Sequence, residues 1–363
     1  MRRAQPAFQS AAAVAGRTPE LRDRASGFDR VHRRILSDFP ELVASQGGNA
    51  EAIFRLAGID PDECGDNGAD VSYRQIVELT AIAATRLDCP DFGMRLARLQ
   101  AVTIESPLQR VVSNARTLGE ALESVVSYSF AHSLAASIWL RRDSADDEVK
   151  VGHDILIDGA PDRRQAIEHI LLMEYLTCRN ATAGLVRARR VEFRHQPVAP
   201  PAAYRAHFGC DVRFGERADA IVYTEQSLTC PIVAADPATF DRTIAHIDET
   251  FPEREPPLHV AVRGAVLGLL GSDQCTNTAI ARLLGLHPRA LHRGLRVQGT
   301  SFQRVKNEVR RDLLARYLDQ TDLPVSEISE RLGFAEQSAM TRFCRKWLGA
   351  SPTGRRAGAK RPA

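Results

Sequence analysis

The chain has 363 residues, room for about two domains at roughly 150 residues each, and its 26% charged and 44% hydrophobic residues exclude a disordered chain. No run approaches the about 18 consecutive apolar residues that a membrane-spanning helix needs, and the apolar stretch after Arg2 and Arg3 is too short for a secretory leader. The net charge of +3 conceals an asymmetry: from Pro257 onward 18 Lys and Arg face 8 Asp and Glu, a net of +10, while residues 1–256 carry −7. A basic segment joined to an acidic one points to a nucleic-acid module attached to something else. The seven cysteines are scattered, with no metal-ligand spacing, which suits reduced thiols in a cytoplasmic protein.

In chain order, residues 1–27 are Ala- and Arg-rich without a period and read as a disordered tail. From Phe28 to about Ser133 the pattern is mostly helical. Ile76, Leu79, Ile82 and Ala83 recur on one face. Thr117 stands as a helix cap, with Glu120 placed to complete a capping box. Short runs then predict strands at 136–140, 149–157, 190–194, 211–214 and 220–223, in a small antiparallel sheet. A long amphipathic helix is expected over 162–186, with Ile167, Ile170, Leu171 and Leu176 facing a core. Helices plus such a sheet make an α+β domain over 28–235. A proline-bearing stretch with one short helix, 236–256, reads as a linker. Beyond it every segment is helical, so 257–356 is predicted as a separate all-α domain, followed by a basic tail at 357–363.

The basic domain contains a repeat. Ile280-Ala281-Arg282-Leu283-Leu284-Gly285-Leu286 matches Ile328-Ser329-Glu330-Arg331-Leu332-Gly333-Phe334 at an offset of 48. In each, a small residue lets a second helix cross closely, a glycine supplies a left-handed turn, and an apolar residue plugs it. Each is followed by apolar-x-Arg, at Leu291-His292-Arg293 and Met340-Thr341-Arg342. Helix, tight turn and helix, twice, is helix-turn-helix logic, the second helix of each pair offering a polar face to a major groove. A helix over 302–319 joins the units, with Val305, Val309, Leu313, Ala315 and Leu318 toward a core and Arg304, Lys306, Arg310 and Arg311 elsewhere.

Residues 276–356, and within them LPVSEISERLGFAEQSAMTRFCRKWLGASP at 323–352, resemble the DNA-binding domain of AraC/XylS-type transcription regulators. Upstream, DCPDFGMRLA at 88–97, ARTLGEALESVV at 115–126, VEFRHQPVAPPAAYRAHFGCDVRFG at 191–215 and ADAIVYTEQSLTCPI at 218–232 are similar to the large sensor domain of one branch of these regulators, often labelled arabinose-binding-like. The resemblance implies two domains: an α+β sensor, and an all-α DNA-binding domain whose two helix-turn-helix motifs are joined by a long helix. It implies double-stranded promoter DNA as partner, a small-molecule effector at a site the sequence does not reveal, a homodimer, and contact with RNA polymerase. The chain departs from the family at Met340 and near Arg355, where aromatics are common, at Ser329, where Ala is usual, and at Gly294, where a larger residue is common. Gly294 within the first recognition helix costs about 1 kcal/mol relative to Ala.

If the helices dock as the resemblance implies, the first reader exposes Arg289, His292, Arg293 and Arg296, and the second exposes Gln337, Ser338, Thr341 and Arg342. Arg forks onto guanine, Gln onto adenine, and the Thr methyl meets that of thymine. Arg345 and Lys346 are expected on phosphates, and Trp347 in the core. No catalytic, metal or cofactor motif is evident. The pairs His153-Asp154 and Glu168-His169 are neighbours in sequence, and adjacent strand residues face opposite ways. His195 and His207 read as structural histidines and Cys210 as a packing residue. The competing class is a DNA-repair or alkyl-transfer enzyme with a fused helix-turn-helix module, which requires an activated, low-pKa cysteine.

Overall fold

The computed structural model describes residues 27–61, 70–143, 145–159 and 162–359. The expected tail before Gly27, Cys64 and residues 360–363 lie outside them. The described chain forms two compact units. One is Gly27–Phe193 with Pro197–Arg254; the other centres on the described residues from Glu255 onward and takes in Arg194–Gln196. None of the described helices is long and apolar enough to cross a membrane.

The first unit opens with a two-stranded ribbon of β1 (Arg30–Val31) and β2 (Val71–Ser72) and a layer of short helices. Ser72 begins the helix Tyr73–Arg86 with a capping box: its hydroxyl accepts from Arg74 N while Gln75 accepts from Ser72 N at 2.9 Å. Ile76, Leu79 and Ala83 are buried as their spacing predicts, with Ile82 partly buried beside them. Thr117 caps Leu118–Ser127 through Glu120 N at 3.2 Å, but the box is only half built: the Glu120 carboxylate accepts from Arg116 N at 2.7 Å instead.

Five strands form the main sheet: β3 (Ala136–Asp143), β4 (Glu148–Ile155), β5 (Arg190–Phe193), β6 (Asp211–Phe214) and β7 (Ala220–Tyr223), in the order β3-β4-β7-β5-β6. The sheet is not antiparallel throughout. β5 and β6 run parallel, because the connection between them is a crossover carrying the helix Pro201–Phe208 rather than a hairpin. Arg164–Ala181 buries Ile167, Ile170, Leu171 and Tyr175 in the same core as Val149, Val151, Val191, Phe193 and Ile221 of the sheet.

Neighbouring β4 residues face opposite ways, as strand pleating requires. His153 lies between Tyr73 Oη at 3.1 Å and Glu174 Oε1 at 2.8 Å, while Asp154 accepts from Trp139 Nε1 at 2.8 Å. The 236–256 stretch holds the helix Pro237–Thr250, with Asp236 capping it and Pro237 in its first turn. That helix buries Ile247, so 237–250 belongs to the packed body of the first unit.

The second unit is helical over its described length from Leu258. Its helices are Leu258–Leu269, Asn277–Leu283, Pro288–Val297, Phe302–Gln320, Val325–Arg331, Gln337–Leu348 and Pro352–Ala359. One core joins the first six, built from Val262, Val266, Ile280, Leu291, Leu295, Val309, Leu314, Ile328, Leu332, Met340 and Cys344. The Phe302–Gln320 helix buries Val305, Val309, Leu313 and Leu318 as expected, and Leu314 and Tyr317 as well; Ala315 is only partly buried. A single-stripe pattern underestimates this helix because others pack on several of its sides.

Candidate nucleic-acid interface

The two turns are the same structure twice. Gly285 and Gly333 have φ of 67° and 65°, the left-handed conformation that glycine adopts without a steric penalty. Leu286 N donates to Ala281 O at 2.8 Å, and Phe334 N to Ser329 O at 3.0 Å. Gly285 N donates to Arg282 O and Gly333 N to Glu330 O. The small residue of each repeat is buried where the next helix crosses: Ala281 in one, Ser329 in the other. Ser329 brings a hydroxyl that lies buried without a hydrogen-bond partner, a local consequence of replacing the usual alanine.

The helix expected to be the first reader is Pro288–Val297. His287 caps it, its Nδ1 accepting from Arg289 N at 3.2 Å, and Pro288 occupies the first turn. Leu291 and Leu295 are fully buried, while Arg289, His292, Arg293 and Arg296 are all exposed on the remaining faces. Gly294 does not interrupt the helix. A Cβ there would approach Leu258 Cδ2 to 2.5 Å, so the glycine sits where the Leu258–Leu269 helix packs close.

The helix expected to be the second reader is Gln337–Leu348, anchored by Met340 and Cys344, both fully buried. Gln337, Ser338, Arg342, Arg345 and Lys346 are exposed. Thr341 is half-buried, with its hydroxyl donating to Gln337 O at 3.0 Å, so its methyl is the part left for contact. Arg342 Nη1 reaches Ser338 Oγ at 3.4 Å. Trp347 is half-buried and stacks on Phe343 at 5.5 Å, and Phe343 meets Phe334 at 5.3 Å.

Four cations of the joining helix have structural partners. Arg304 pairs with Glu308, Lys306 Nζ donates to Cys275 O at 2.7 Å, and Arg311 forks onto Asp312. Arg310 donates to Leu332 O at 2.9 Å and lies 4.4 Å above the Phe334 ring, tying the helix to the second turn. Periodicity places these residues off the core but does not show that Lys306 and Arg310 clamp backbone carbonyls. Nor does it reveal the buried pair of Arg263 and Asp312, which joins Leu258–Leu269 to the joining helix. Burial raises the Asp312 carboxyl, but Arg263 and Arg311 outweigh it and hold the group below its ordinary value. Arg355 forks onto Asp319 at 2.9 and 2.6 Å and fastens the last helix, a fixing that does not depend on an aromatic nearby. By contrast, among the described residues Arg289, Arg293, Arg296, Arg345 and Lys346 enter no ion pair.

Five of the seven cysteines run against an alkyl-transfer reading. Burial pushes the thiols of Cys89 and Cys210 up to about 11 and that of Cys178 up to about 12, and it raises Cys275 and Cys344 as well. An activated nucleophile needs the opposite shift. His207 Nε2 meets Asp91 at 3.2 Å and His195 Nδ1 meets Gln196 O at 2.8 Å, as structural histidines do. Cys210 packs partly buried against the core of the first unit.

Comparison with known proteins gives matches across both units. Residues 47–232 match the family described as the arabinose-binding domain of AraC transcription regulators, and residues 280–358 match a helix-turn-helix domain. The HTH-type transcriptional regulator VirS of Mycobacterium tuberculosis is 33% identical over 319 residues, covering 88% of this chain and 94% of that protein. The ornithine utilization regulator of Pseudomonas aeruginosa is 26% identical over 315 residues, covering 86% and 92%.

Proposed function

Because the chain belongs to the AraC-type transcription regulators, a family of sequence-specific DNA-binding proteins, we propose that its two exposed recognition helices read one operator together. Arg289, His292, Arg293 and Arg296 meet one major-groove segment, and Gln337, Ser338, Thr341 and Arg342 meet the next, with Arg345 and Lys346 on phosphates. The observation that carries this reading is the bond-for-bond repetition of the two turns, each followed by a helix with a buried apolar face and exposed basic or amide side chains. The acidic α+β unit is assigned to a small-molecule effector and to homodimer formation, and the working location is the cytoplasm. Contact with RNA polymerase follows from activity at a promoter.

The geometry makes a test. The Phe302–Gln320 helix has 19 residues and so spans about 28 Å, close to the roughly 34 Å between successive major-groove faces of B-DNA. One chain therefore covers two groove segments about 10 base pairs apart. Sequencing of fragments bound by the purified protein identifies the element, and footprinting reads its span. Inserting five base pairs between the halves turns the second groove away, and affinity drops toward that of a single reader. Indifference to the insertion, or a footprint of one groove segment per chain, overturns the two-reader reading.

A further inference from the structure

The residue that begins the second reader is an acid. Glu336 is extended, with φ −141° and ψ 144°, and its carbonyl accepts the first helical N–H bonds, from Ala339 at 3.1 Å and Met340 at 3.3 Å. Its side chain makes no capping bond. Elsewhere in this unit, Thr276, His287 and Ser301 all use their side chains to cap the helices they begin. The counterpart of Glu336 in the first reader is His287, at an offset of 49, and its ring is occupied by Arg289 N. The carboxylate of Glu336 points instead along the exposed side of its helix. There Ser338 Oγ donates to Oε2 at 2.9 Å, and Arg342 Nη1 reaches Ser338 Oγ at 3.4 Å. Glu336, Ser338 and Arg342 thus form a hydrogen-bonded row beginning at the helix tip.

Among the described residues no cation pairs with Glu336. On a surface that meets a polyanion, an unpaired carboxylate is repelled by phosphate oxygens. The donors that the major groove offers it are base amino groups, and the pairing that suits a carboxylate is the cytosine N4 amino group. We propose that Glu336 is a specificity-determining residue of the second reader, accepting a hydrogen bond from a cytosine at the edge of the half-site. Ser338 holds the carboxylate in place, and Gln337 and Arg342 take the neighbouring bases. This inference rests on the reading that Gln337–Leu348 enters the major groove.

The test is bound-fragment sequencing with the full-length protein and its Glu336→Ala and Glu336→Gln variants, followed by competition binding on the selected site. The wild-type protein is expected to prefer cytosine about tenfold at one position beside the bases assigned to Arg342. Glu336→Ala levels that position alone and binds unrelated DNA somewhat more tightly, having lost a repulsive charge. Glu336→Gln, which can donate as well as accept, moves the preference toward adenine. Identical selected sequences for all three proteins overturn the proposal. So does a change at the position that Arg342→Ala also erases, since Glu336 would then only position Arg342. Absence of any selected sequence for the wild type overturns the two-reader reading itself, a separate outcome.

Discussion

Two glycines of the DNA-binding unit invite the same substitution with opposite results. Gly271 has φ +85°, and a Cβ placed there would lie 2.7 Å from Arg331 O and 3.3 Å from Arg331 C. These are backbone atoms at the end of the Val325–Arg331 helix and cannot swing aside. Gly333 lies across from it, with its own would-be Cβ 3.2 Å from Gly271 N. Gly271→Ala therefore adds a left-handed alanine, costing about 1–2 kcal/mol, to an overpacked contact costing about 1–3 kcal/mol, a loss of about 2–5 kcal/mol. At Gly294 the obstacle is the tip of Leu258, which can rotate, and the backbone is already helical. There the gain in helix propensity of about 1 kcal/mol offsets the repacking, so Gly294→Ala should be neutral or stabilising by less than about 1 kcal/mol. Trp347 lies in the second unit and the other tryptophan, Trp139, in the first, so urea unfolding followed by Trp347 fluorescence in a Trp139→Phe background isolates the relevant transition. The reasoning fails if Gly271→Ala costs less than about 1 kcal/mol, or if Gly294→Ala is the more damaging of the two.

Ser329→Ala should stabilise the same unit by about 1 kcal/mol, because it removes a buried hydroxyl that has no partner; a loss of stability in the same unfolding assay would contradict this. Glu168 gives a pH signature in the first unit. Burial raises its carboxyl to about 8, against smaller opposing effects of Tyr204, whose hydroxyl donates to it at 2.6 Å, and of Arg164. The folded chain therefore holds a proton that the unfolded chain releases near 4.5. The stability from this group is complete below that pH and is lost as the pH rises toward about 8. Glu168→Gln should flatten that slope and stabilise the unit at alkaline pH, read from Trp139 unfolding midpoints; an unchanged slope would count against it. Arg342→Ala should erase preference at one base pair at a cost of about 1–3 kcal/mol, whereas Lys346→Ala should weaken all sequences alike and lower the salt slope by about one. Uniform loss in both variants would move Arg342 to the phosphate contacts.

Much of the DNA-binding unit is legible in the sequence because its defining features are local. The 48-residue repeat encodes hydrogen bonds that close over four or six residues, and a glycine at each turn announces its left-handed backbone. The 3.6-residue period sorts each reader into a buried face, Leu291 with Leu295 or Met340 with Cys344, and an exposed one. The five strands also appear in the sequence pattern, two of them with the same ends and the others with ends shifted by at most three residues. What meets what across the fold is a different matter. Nothing local says that Arg310 clamps the second turn or that Arg263 finds Asp312. The same holds for the parallel pairing of β5 and β6, for Gly294 making room for Leu258, and for the Glu336 side chain turning toward Ser338 instead of capping its helix. Periodicity reports which side of an element leaves water, because that depends on the element alone. The partner on the other side is set by close packing between segments distant in sequence, and only the assembled tertiary structure decides it.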